Sequence, residues 1–325
     1  MSSAKLKNNG GISKPFTPHA TAKVPTIKNQ TSSFEIPILG FGSGTAWYGA
    51  NEGERKTNLK NSVKMAVKCG VHHIDCAEMY NNQEVVGDAI KEILNENNDL
   101  QREHLFVTSK IAQGSRNPND VISSVHKTIA DLNVGYLDLL LIHSPFGKPC
   151  PLIDTWKAME RLVDDGFVRH IGVSNHRIQD LQEILNSSKH RPVMNQVECH
   201  PALPQLKLKQ FCEANDIIMA SYGNLLPITR KPKECDPLNK TLTNIASQKK
   251  SINEGHLLLR WQLSNHRVAI TTTSKESRLS EYLKSVEDGN NITGDDIENN
   301  ALIDQSMGGT YFRAFWEKQY NGLIE

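Results

Sequence analysis

The stretch "LDLLLIHS", residues 137–144, decides the fold class. Four leucines and an isoleucine fill both alternating faces of this run, and a histidine and a serine end it. A run that is apolar on both faces is typical of a parallel β-strand covered on both sides. Seven further short apolar or β-branched runs occur, so the predicted strands are residues 38–44, 72–77, 105–110, 137–144, 169–175, 193–199, 217–223 and 268–274.

The segments between these runs have the periodicity of amphipathic helices. Within residues 117–135, Val121, Val125 and Leu132 fall on one face, and Gly135 follows as a stop signal. Eight strand–helix units without a Gly/Ser-rich linker predict an α/β fold, a (β/α)8 TIM barrel, rather than two domains. We expect this barrel to form a single domain over residues 24–325.

Both ends of the chain add features to the predicted barrel. Residues 26–37 are expected to form an N-terminal β-hairpin on the barrel floor. Residues 294–305 are expected to form an extra helix, and the aromatic stretch 310–323 after it is the predicted C-terminal substrate loop. Residues 1–23, rich in Lys, Ser and Thr and without acids, predict a flexible tail; a mitochondrial presequence is the alternative, disfavoured by the absence of arginine.

The amino-acid composition is typical of a globular protein, and its cysteines favour a reducing compartment. The 325 residues are 38% hydrophobic and 22% charged, with a net charge of +1, so no general attraction to nucleic acid or an anionic membrane is expected. The six cysteines form no CxxC pair, which favours reduced thiols and a cytoplasmic protein. No apolar run approaches the roughly 20 residues that a membrane span requires.

Polar side chains follow most of the predicted strands, at the point where each strand ends. In a (β/α)8 barrel the active site lies at the C-terminal ends of the strands. The side chains found there are Trp47, Asp75, Tyr80, Lys110, His143, Ser174, Asn175, Gln196, Tyr222, Ser274 and Lys275. Seven of the eight strands thus deliver polar or ionisable groups to one rim.

Two of the three chemistries open to "HHIDCAEMY", residues 72–80, fit poorly. A metal-dependent hydrolase needs several ligands converging on one ion, but His72 and His73 are adjacent and should point to opposite faces of the strand. Cys76 follows Asp75 directly, so its thiol should point away from the barrel lumen. We therefore expect no metal, and we interpret both histidines and the cysteine as structural residues.

Proton transfer fits better. Asp75, Tyr80, Lys110 and His143 come from three strands and should meet at the barrel mouth. Tyrosine has an ordinary pKa of about 10 and is a poor acid at neutral pH. A lysine held by an aspartate should lower the pKa of Tyr80, so that Tyr80 acts as general acid to a carbonyl oxygen that a neutral His143 orients.

A general acid at a carbonyl implies a hydride donor. No GxGxxG turn follows a strand, but Ser174, Asn175 and Gln196 have the chemistry to bind a carboxamide, and Tyr222 offers a ring to stack on. "TTTSKESR", residues 271–278, brings Ser274, Lys275 and Arg278 to the start of a helix. This donor set suits the 2′-phosphate of NADPH.

Four motifs in this order resemble the aldo-keto reductase family over roughly residues 24–320. They are "GVHHIDCAEMYNNQEVVGDAI" (70–90), "LLLIHSP" (139–145), "IGVSNH" (171–176) and "MNQVECHP" (194–201). The resemblance implies that Asp75, Tyr80, Lys110 and His143 are the catalytic residues. The implied cofactor site comprises Gly44, Thr45, Ser174, Asn175, Gln196, Tyr222, Leu225, Thr273, Ser274, Lys275 and Arg278.

Within that family the chain is most similar to a yeast branch of conjugated polyketone (ketopantoyl lactone) reductases. "GSGTAW" (42–47), "TTTSKESRL" (271–279) and "YFRAFWEKQY" (311–320) carry this likeness. It implies a monomeric, cytoplasmic NADPH-dependent reductase of activated ketones and dicarbonyls, such as ketopantoyl lactone or isatin. A sensor or scaffold barrel that binds NADPH with little turnover is the alternative.

The chain departs from the family pattern at the loops around the cofactor. Thr272 and Thr273 stand where many members have a lysine, and Lys275 lies further into the loop. Because of this shift, the sequence favours NADPH over NADH less strongly than the usual family pattern does. "YGNL" at residues 222–225 replaces the usual "YSPL", and Arg230 and Lys231 beyond it are a candidate closing clasp.

Aromatic residues that follow the first predicted barrel strand, together with those of the C-terminal stretch, are candidates for the substrate pocket. They are Trp47, Tyr48, Phe312, Phe315 and Trp316. As a set they predict an apolar wall over the nicotinamide, suited to a small-molecule carbonyl substrate.

Overall fold

A computed structural model describes residues 15–31, 33–111, 117–147, 150–249, 252–289 and 291–321. Its strands are β1 Thr26–Lys28, β2 Glu35–Pro37, β3 Leu39–Gly42, β4 His73–Asp75, β5 Phe106–Ile111, β6 Leu137–Ile142, β7 Val168–Ser174, β8 Met194–Glu198, β9 Ile218–Tyr222 and β10 Val268–Thr271. Strands β3 to β10 form a closed parallel barrel, in which β10 pairs with β3. The predicted (β/α)8 architecture is confirmed, because each of the eight predicted runs contributes one strand.

Helices surround this barrel. They are α1 Gly53–Cys69, α2 Gln83–Glu96, α3 Pro118–Leu132, α4 Leu152–Asp164, α5 Ile178–Ser187, α6 Leu206–Ala214, α7 Leu226–Thr229, α8 Asp236–Ser247, α9 Glu254–Ser264, α10 Glu276–Val286, α11 Gly294–Met307 and α12 Glu317–Tyr320. None of them, within the ranges described above, is long and apolar enough to cross a membrane.

Helix α3 shows how local sequence sets these elements. The Asn117 side chain caps its start by accepting from the N–H groups of Asn119 and Asp120, at 2.9 and 3.1 Å. Its predicted apolar face is buried against the barrel. The helix ends at Leu132, three residues before the predicted stop at Gly135, because Asn133 takes the left-handed conformation (φ 53°) that terminates a helix.

The buried aspartate inside "LDLLLIHS" is accounted for by its ion pairs. Asp138 is fully buried, and its two oxygens lie 2.8 Å from Arg102 and 2.8 Å from Arg169. It also accepts the N–H of Val107 at 2.9 Å. A buried carboxylate is tolerated only when it is paired in this way.

The barrel floor is closed by the N-terminal residues. Strands β1 and β2 form the predicted antiparallel hairpin, and Phe34 and Ile36 from it are buried in the barrel interior with Phe106. Part of the predicted flexible tail also packs here: the Phe16 ring lies 5.6 Å from the Phe106 ring. The backbone N–H groups of residues 17 and 23 donate to the carbonyls of Glu103 and Gly70, in the turns before β5 and after α1. Residues 1–14 of that predicted tail lie outside the described residues.

Candidate active site

A cavity of about 790 Å³ opens at the C-terminal ends of the barrel strands. This volume is within the roughly 300–1,000 Å³ common for small-molecule sites. Predicted site residues that line it are Gly44, Thr45, Tyr48, Asp75, Tyr80, His143, Ser174, Asn175, Gln196, Tyr222, Leu225, Arg278, Phe315 and Trp316. Predicted residues that are not part of its described wall are Trp47, Lys110, Thr273, Ser274, Lys275 and Phe312.

Lys110 joins Asp75 to Tyr80 beneath the cavity. Strands β4 and β5 are parallel neighbours, and this brings Lys110 Nζ to 2.5 Å from Asp75 Oδ1. Lys110 Nζ also donates to the Cys76 carbonyl at 2.9 Å and to Tyr80 Oη at 3.4 Å. Only 1% of Lys110 is exposed, so its charge acts on these neighbours with little screening by water.

Tyr80 is placed by tight turns on both sides. It ends a short 3-10 turn, after which Asn81 takes a left-handed conformation (φ 51°). The Tyr80 ring lies so close to Gly44 that a Cβ there would approach Tyr80 Cζ to 2.7 Å. Asn82 donates to the carbonyls of Ser43 and Trp47, both at 2.8 Å, and so ties the two loops together.

The pKa of Tyr80 differs from the sequence expectation. Burial of the phenol raises this pKa, and the Lys110 charge only partly opposes the effect, so the pKa lies above its ordinary value. Burial, the largest single effect, would lower the pKa of Lys110, but the charges and hydrogen bonds of Asp75 and Tyr80 together outweigh it, so the pKa of Lys110 is raised. Lys110 is therefore an ammonium and Tyr80 a protonated phenol at neutral pH.

His143 completes this group from the end of β6. Its ring centroid lies 5.6 Å from that of Tyr80, with the two rings nearly perpendicular at 84°. Both side chains line the cavity. The arrangement presents one hydroxyl donor and one imidazole to the same space, as a carbonyl oxygen requires.

The predicted carboxamide-binding residues lie together and hydrogen-bond to one another. Ser174 Oγ donates to the Gln196 carbonyl at 2.7 Å, and Asn175 Nδ2 donates to Ser174 Oγ at 3.0 Å. Tyr222 Oη donates to Asn175 Oδ1 at 2.7 Å. Gln196 Nε2 donates to Asp75 Oδ2 at 2.8 Å, which links this group to the Lys110–Tyr80 pair.

The loop after β10 brings the predicted phosphate ligands to the surface beside the cavity. Ser274, Lys275 and Arg278 are exposed around the start of α10, and Arg278 lines the cavity. Thr273 is buried, and its hydroxyl accepts the Lys275 N–H at 3.1 Å, so it shapes the loop. Thr272, at the position where many family members have lysine, accepts the Trp47 indole N–H at 2.9 Å.

The aromatic residues divide into two groups. Tyr48, Phe315 and Trp316 line the cavity, and Tyr48 is 52% exposed. Trp47 instead packs in the buried layer of the barrel, which explains its bond to the β10 loop. Phe312 stacks on His200 with 5.8 Å between ring centroids, away from the cavity wall.

Several lining residues were not predicted. Met79 and Leu226 add apolar surface. Arg230, predicted only as a candidate closing clasp, also lines the cavity and stands 5.0 Å from the Phe315 ring. Asn224, noted only as a departure in "YGNL", is buried and donates to the carbonyls of Ser221 at 3.2 Å and Ile270 at 2.9 Å. Residue type gave no signal for Met79 and Leu226, because apolar side chains in such turns usually pack inward.

The histidines and cysteine of "HHIDCAEMY" are buried structural groups. His73 Nε2 lies 3.0 Å from the Thr108 hydroxyl, and burial lowers the pKa of His73 to about 4. Burial raises the pKa of the Cys76 thiol to about 12, so it is not an activated nucleophile. Among the described residues, no group of three or more His, Cys, Asp or Glu is placed to hold a metal ion.

Comparisons with known proteins agree with this geometry. Residues 39–299 match the model of the aldo/keto reductase family. The chain is 37% identical over 254 residues to the NAD/NADP-dependent indole-3-acetaldehyde reductase of Schizosaccharomyces pombe, covering 77% of this chain and 86% of that protein. It is 35% identical over 309 residues to aldo-keto reductase family 1 member C18 of Rattus norvegicus, covering 86% and 91%. The crystal structure of a Bombyx mori aldo-keto reductase in complex with NADP superposes with a TM-score of 0.77 at 27% identity, covering 91% of this chain and 97% of that one.

Proposed function

The chain belongs to the aldo/keto reductase family, and on that premise we propose that it reduces activated ketones and dicarbonyls of the ketopantoyl lactone or isatin type, with Tyr80 as general acid. It is an oxidoreductase that uses NADP(H) to reduce carbonyl groups. The observation that carries the role of Tyr80 is the contact of its hydroxyl with the buried Lys110–Asp75 pair at the cavity.

The residues present fit NADP(H). Ser174, Asn175 and Gln196 offer amide and hydroxyl groups for a carboxamide, and Tyr222 offers a ring face. Asn224 Oδ1 is a buried acceptor on the cavity wall that no described residue satisfies, as suits a ligand hydroxyl or amide. Arg278, in the first turn of α10, lines the cavity, and Lys275 lies directly before that helix, so these two cations would hold a phosphate. NADPH, when bound, supplies the hydride that reduces the carbonyl carbon.

The chain's own residues manage the proton. Tyr80 donates its hydroxyl proton to the carbonyl oxygen, and His143 hydrogen-bonds to that oxygen and fixes its position. The phenolate left on Tyr80 is stabilised by the Lys110 ammonium at 3.4 Å. Asp75 keeps Lys110 charged and in place.

The cavity wall supports a planar, largely apolar substrate. Tyr48, Met79, Phe315 and Trp316 line the same cavity as Tyr80. Asp75 is the one carboxylate among the described lining residues, and its oxygens are already engaged by Lys110 and Gln196. This environment suits an electron-poor ketone in a flat ring better than an open-chain sugar.

The proposal also covers the domain extent, the oligomeric state and the compartment. We take residues 24–325 as one catalytic domain that acts as a monomer in the cytoplasm. No disulfide joins any two of the six cysteines, in keeping with a reducing compartment.

The test is oxidation of NADPH, followed by its absorbance, with isatin, ketopantoyl lactone, diacetyl, an aromatic aldehyde and xylose. We expect the highest kcat/KM with isatin or ketopantoyl lactone. A preference for xylose would contradict the proposed substrate class. NADPH binding, seen as quenching of protein fluorescence, without turnover of any carbonyl would favour the sensor alternative.

A further inference from the structure

The C-terminal tail, residues 308–321, is fastened across the rim of the cavity by hydrogen bonds to barrel residues. Phe312 donates its N–H to the Ala202 carbonyl at 2.9 Å. The next two bonds converge on one side chain: Ala314 N–H on Glu198 Oε1 at 2.7 Å, and Phe315 N–H on Glu198 Oε2 at 2.8 Å. Further along, Tyr320 Oη donates to the Asn175 carbonyl at 2.7 Å.

Glu198 is unusual as a buried carboxylate. It ends β8, and only 1% of it is exposed. In the described ranges its ion pairs are limited to His200, whose Nε2 lies 3.3 Å away. A carboxylate buried to this degree needs hydrogen bonds to its charged form. The two backbone N–H groups of the tail supply them, and bonds of this charge-assisted kind are about twice as strong as neutral ones.

The side chains carried by the anchored segment form part of the cavity wall. The Phe315 ring lies edge-on to Tyr222 at 5.6 Å between centroids, and Trp316 lies 6.0 Å from Phe146. Phe315 and Trp316 both line the cavity. The position of this wall relative to Tyr222 therefore depends on where residues 314 and 315 are held.

We propose that Glu198 is a positioning and specificity-determining residue: it holds residues 314–316 over the cavity and so sets the distance between the aromatic wall and the reacting carbonyl. The part of this proposal that concerns substrates rests on the function proposed above. Glu198 itself does not belong to the lining residues, so it acts through the tail.

Glu198→Gln tests the anchor. A glutamine keeps one acceptor oxygen but turns an NH2 group toward the second tail N–H, so one bond becomes a donor–donor conflict. Glu317→Gln is the matched control, because Glu317 is an exposed carboxylate of the same tail, 3.8 Å from Arg313. Ala314→Pro removes one donor from the tail side without altering the barrel, and it serves if Glu198→Gln fails to fold.

The first readout needs no catalysis. Trp47, Trp156 and Trp261 are buried, whereas Trp316 is partly exposed, so acrylamide quenching reports mainly on Trp316. We expect Glu198→Gln to increase quenching and Glu317→Gln to leave it unchanged. Unchanged quenching in both Glu198→Gln and Ala314→Pro would overturn the anchor.

The second readout compares KM for isatin, which is large enough to contact the aromatic wall, with KM for diacetyl, which is small. KM for isatin should rise about tenfold in Glu198→Gln, the factor expected from losing one charge-assisted bond. KM for diacetyl and the NADPH Kd should change less than about twofold, because neither depends on the wall. Equal losses for both ketones with unchanged quenching would mean a merely structural role and would refute the proposal. If the wild type reduces no carbonyl, the proposed function fails, while the quenching result still decides whether Glu198 holds the tail.

Discussion

Replacing Lys110 by methionine should impair proton donation by Tyr80. Methionine keeps most of the buried volume but removes the charge 3.4 Å from the phenol oxygen. At an effective dielectric of about 20, the interaction of a phenolate with that charge is about 5 kcal/mol. If the proton is about half transferred in the transition state, roughly half of this energy is lost, which corresponds to a fall in kcat on the order of a hundredfold.

The double variant Asp75→Asn/Lys110→Met separates this effect from a loss of stability. The single variant leaves the Asp75 carboxylate buried without its ion-pair partner. Breaking a buried ion pair in this way destabilises the folded protein by about 3–5 kcal/mol. The double variant removes both charges, so its Tm should recover. Single-turnover reduction, followed at the NADPH absorbance, should remain slow in both variants. Recovery of the rate along with the Tm would refute the reasoning, because Lys110 would then serve only to neutralise Asp75.

The pH profile gives an independent check on the same variant. Tyr80 must be protonated to act as an acid, so activity is lost as pH rises through its pKa. Lys110 opposes the rise in the pKa of Tyr80 that burial causes. Removing Lys110 should therefore move the alkaline limb of the kcat profile to higher pH, and a shift to lower pH would contradict the assigned roles.

Three further outcomes are expected. Gly44→Ala should lower kcat at least about tenfold with little change in Tm, because the new Cβ would lie 2.7 Å from Tyr80 Cζ; unchanged kinetics would show that the ring has room. Lys275→Ala and Arg278→Ala should each raise the NADPH Kd about tenfold and the NADH Kd far less, since the lost bonds are to a phosphate; equal losses by titration would remove the phosphate role. Burial lowers the pKa of His73 from 6.5 to about 4, so the unfolded chain takes up a proton that the folded chain does not. Stability should fall by at most roughly 3 kcal/mol as pH drops from about 6.5 to about 4. His73→Gln should flatten this slope in urea unfolding, and an unaltered slope would disprove it.

The barrel, and the placement of Asp75, Lys110 and His143 at its mouth, could be predicted because each depends on local sequence. A run such as "LDLLLIHS" is apolar on both faces, and few arrangements other than a covered parallel strand accommodate it. Once the strands are assigned, barrel geometry requires their C-terminal ends to meet at one rim. Asp75, Lys110 and His143 each lie at or near such an end, so their proximity follows from the strand assignment alone.

Side-chain direction in the loops was not predictable in the same way. Trp47 follows the first barrel strand and was expected on the substrate wall, yet it turns into the buried layer and bonds to Thr272. The backbone of the intervening turn sets the direction of the Trp47 side chain. Thr45 in this turn takes a positive φ of 38°, which cannot be predicted from its residue type. Phe312 likewise packs on His200, since Phe312 N–H bonds to the Ala202 carbonyl.

The predicted lowering of the Tyr80 pKa was wrong for a physical reason. The lysine and its partner were visible as residue types, and both signs of their influence follow from charge. The degree of enclosure was not visible, because it depends on residues from distant parts of the chain, such as Gly44 and His143, that lie against the Tyr80 ring. Burial is the larger effect, and it raises this pKa.

Tyr80→Phe tests the central claim most directly, with Tyr48→Phe as its control, since Tyr48 lines the same cavity with its ring centroid 6.4 Å from that of Tyr80. The measurement is kcat for isatin reduction beside the NADPH Kd from fluorescence quenching. We expect Tyr80→Phe to lose at least about a hundredfold in kcat with the Kd within twofold, as removal of a general acid predicts, and Tyr48→Phe to retain turnover. A Tyr80→Phe enzyme that keeps more than about a tenth of the wild-type kcat would contradict the account.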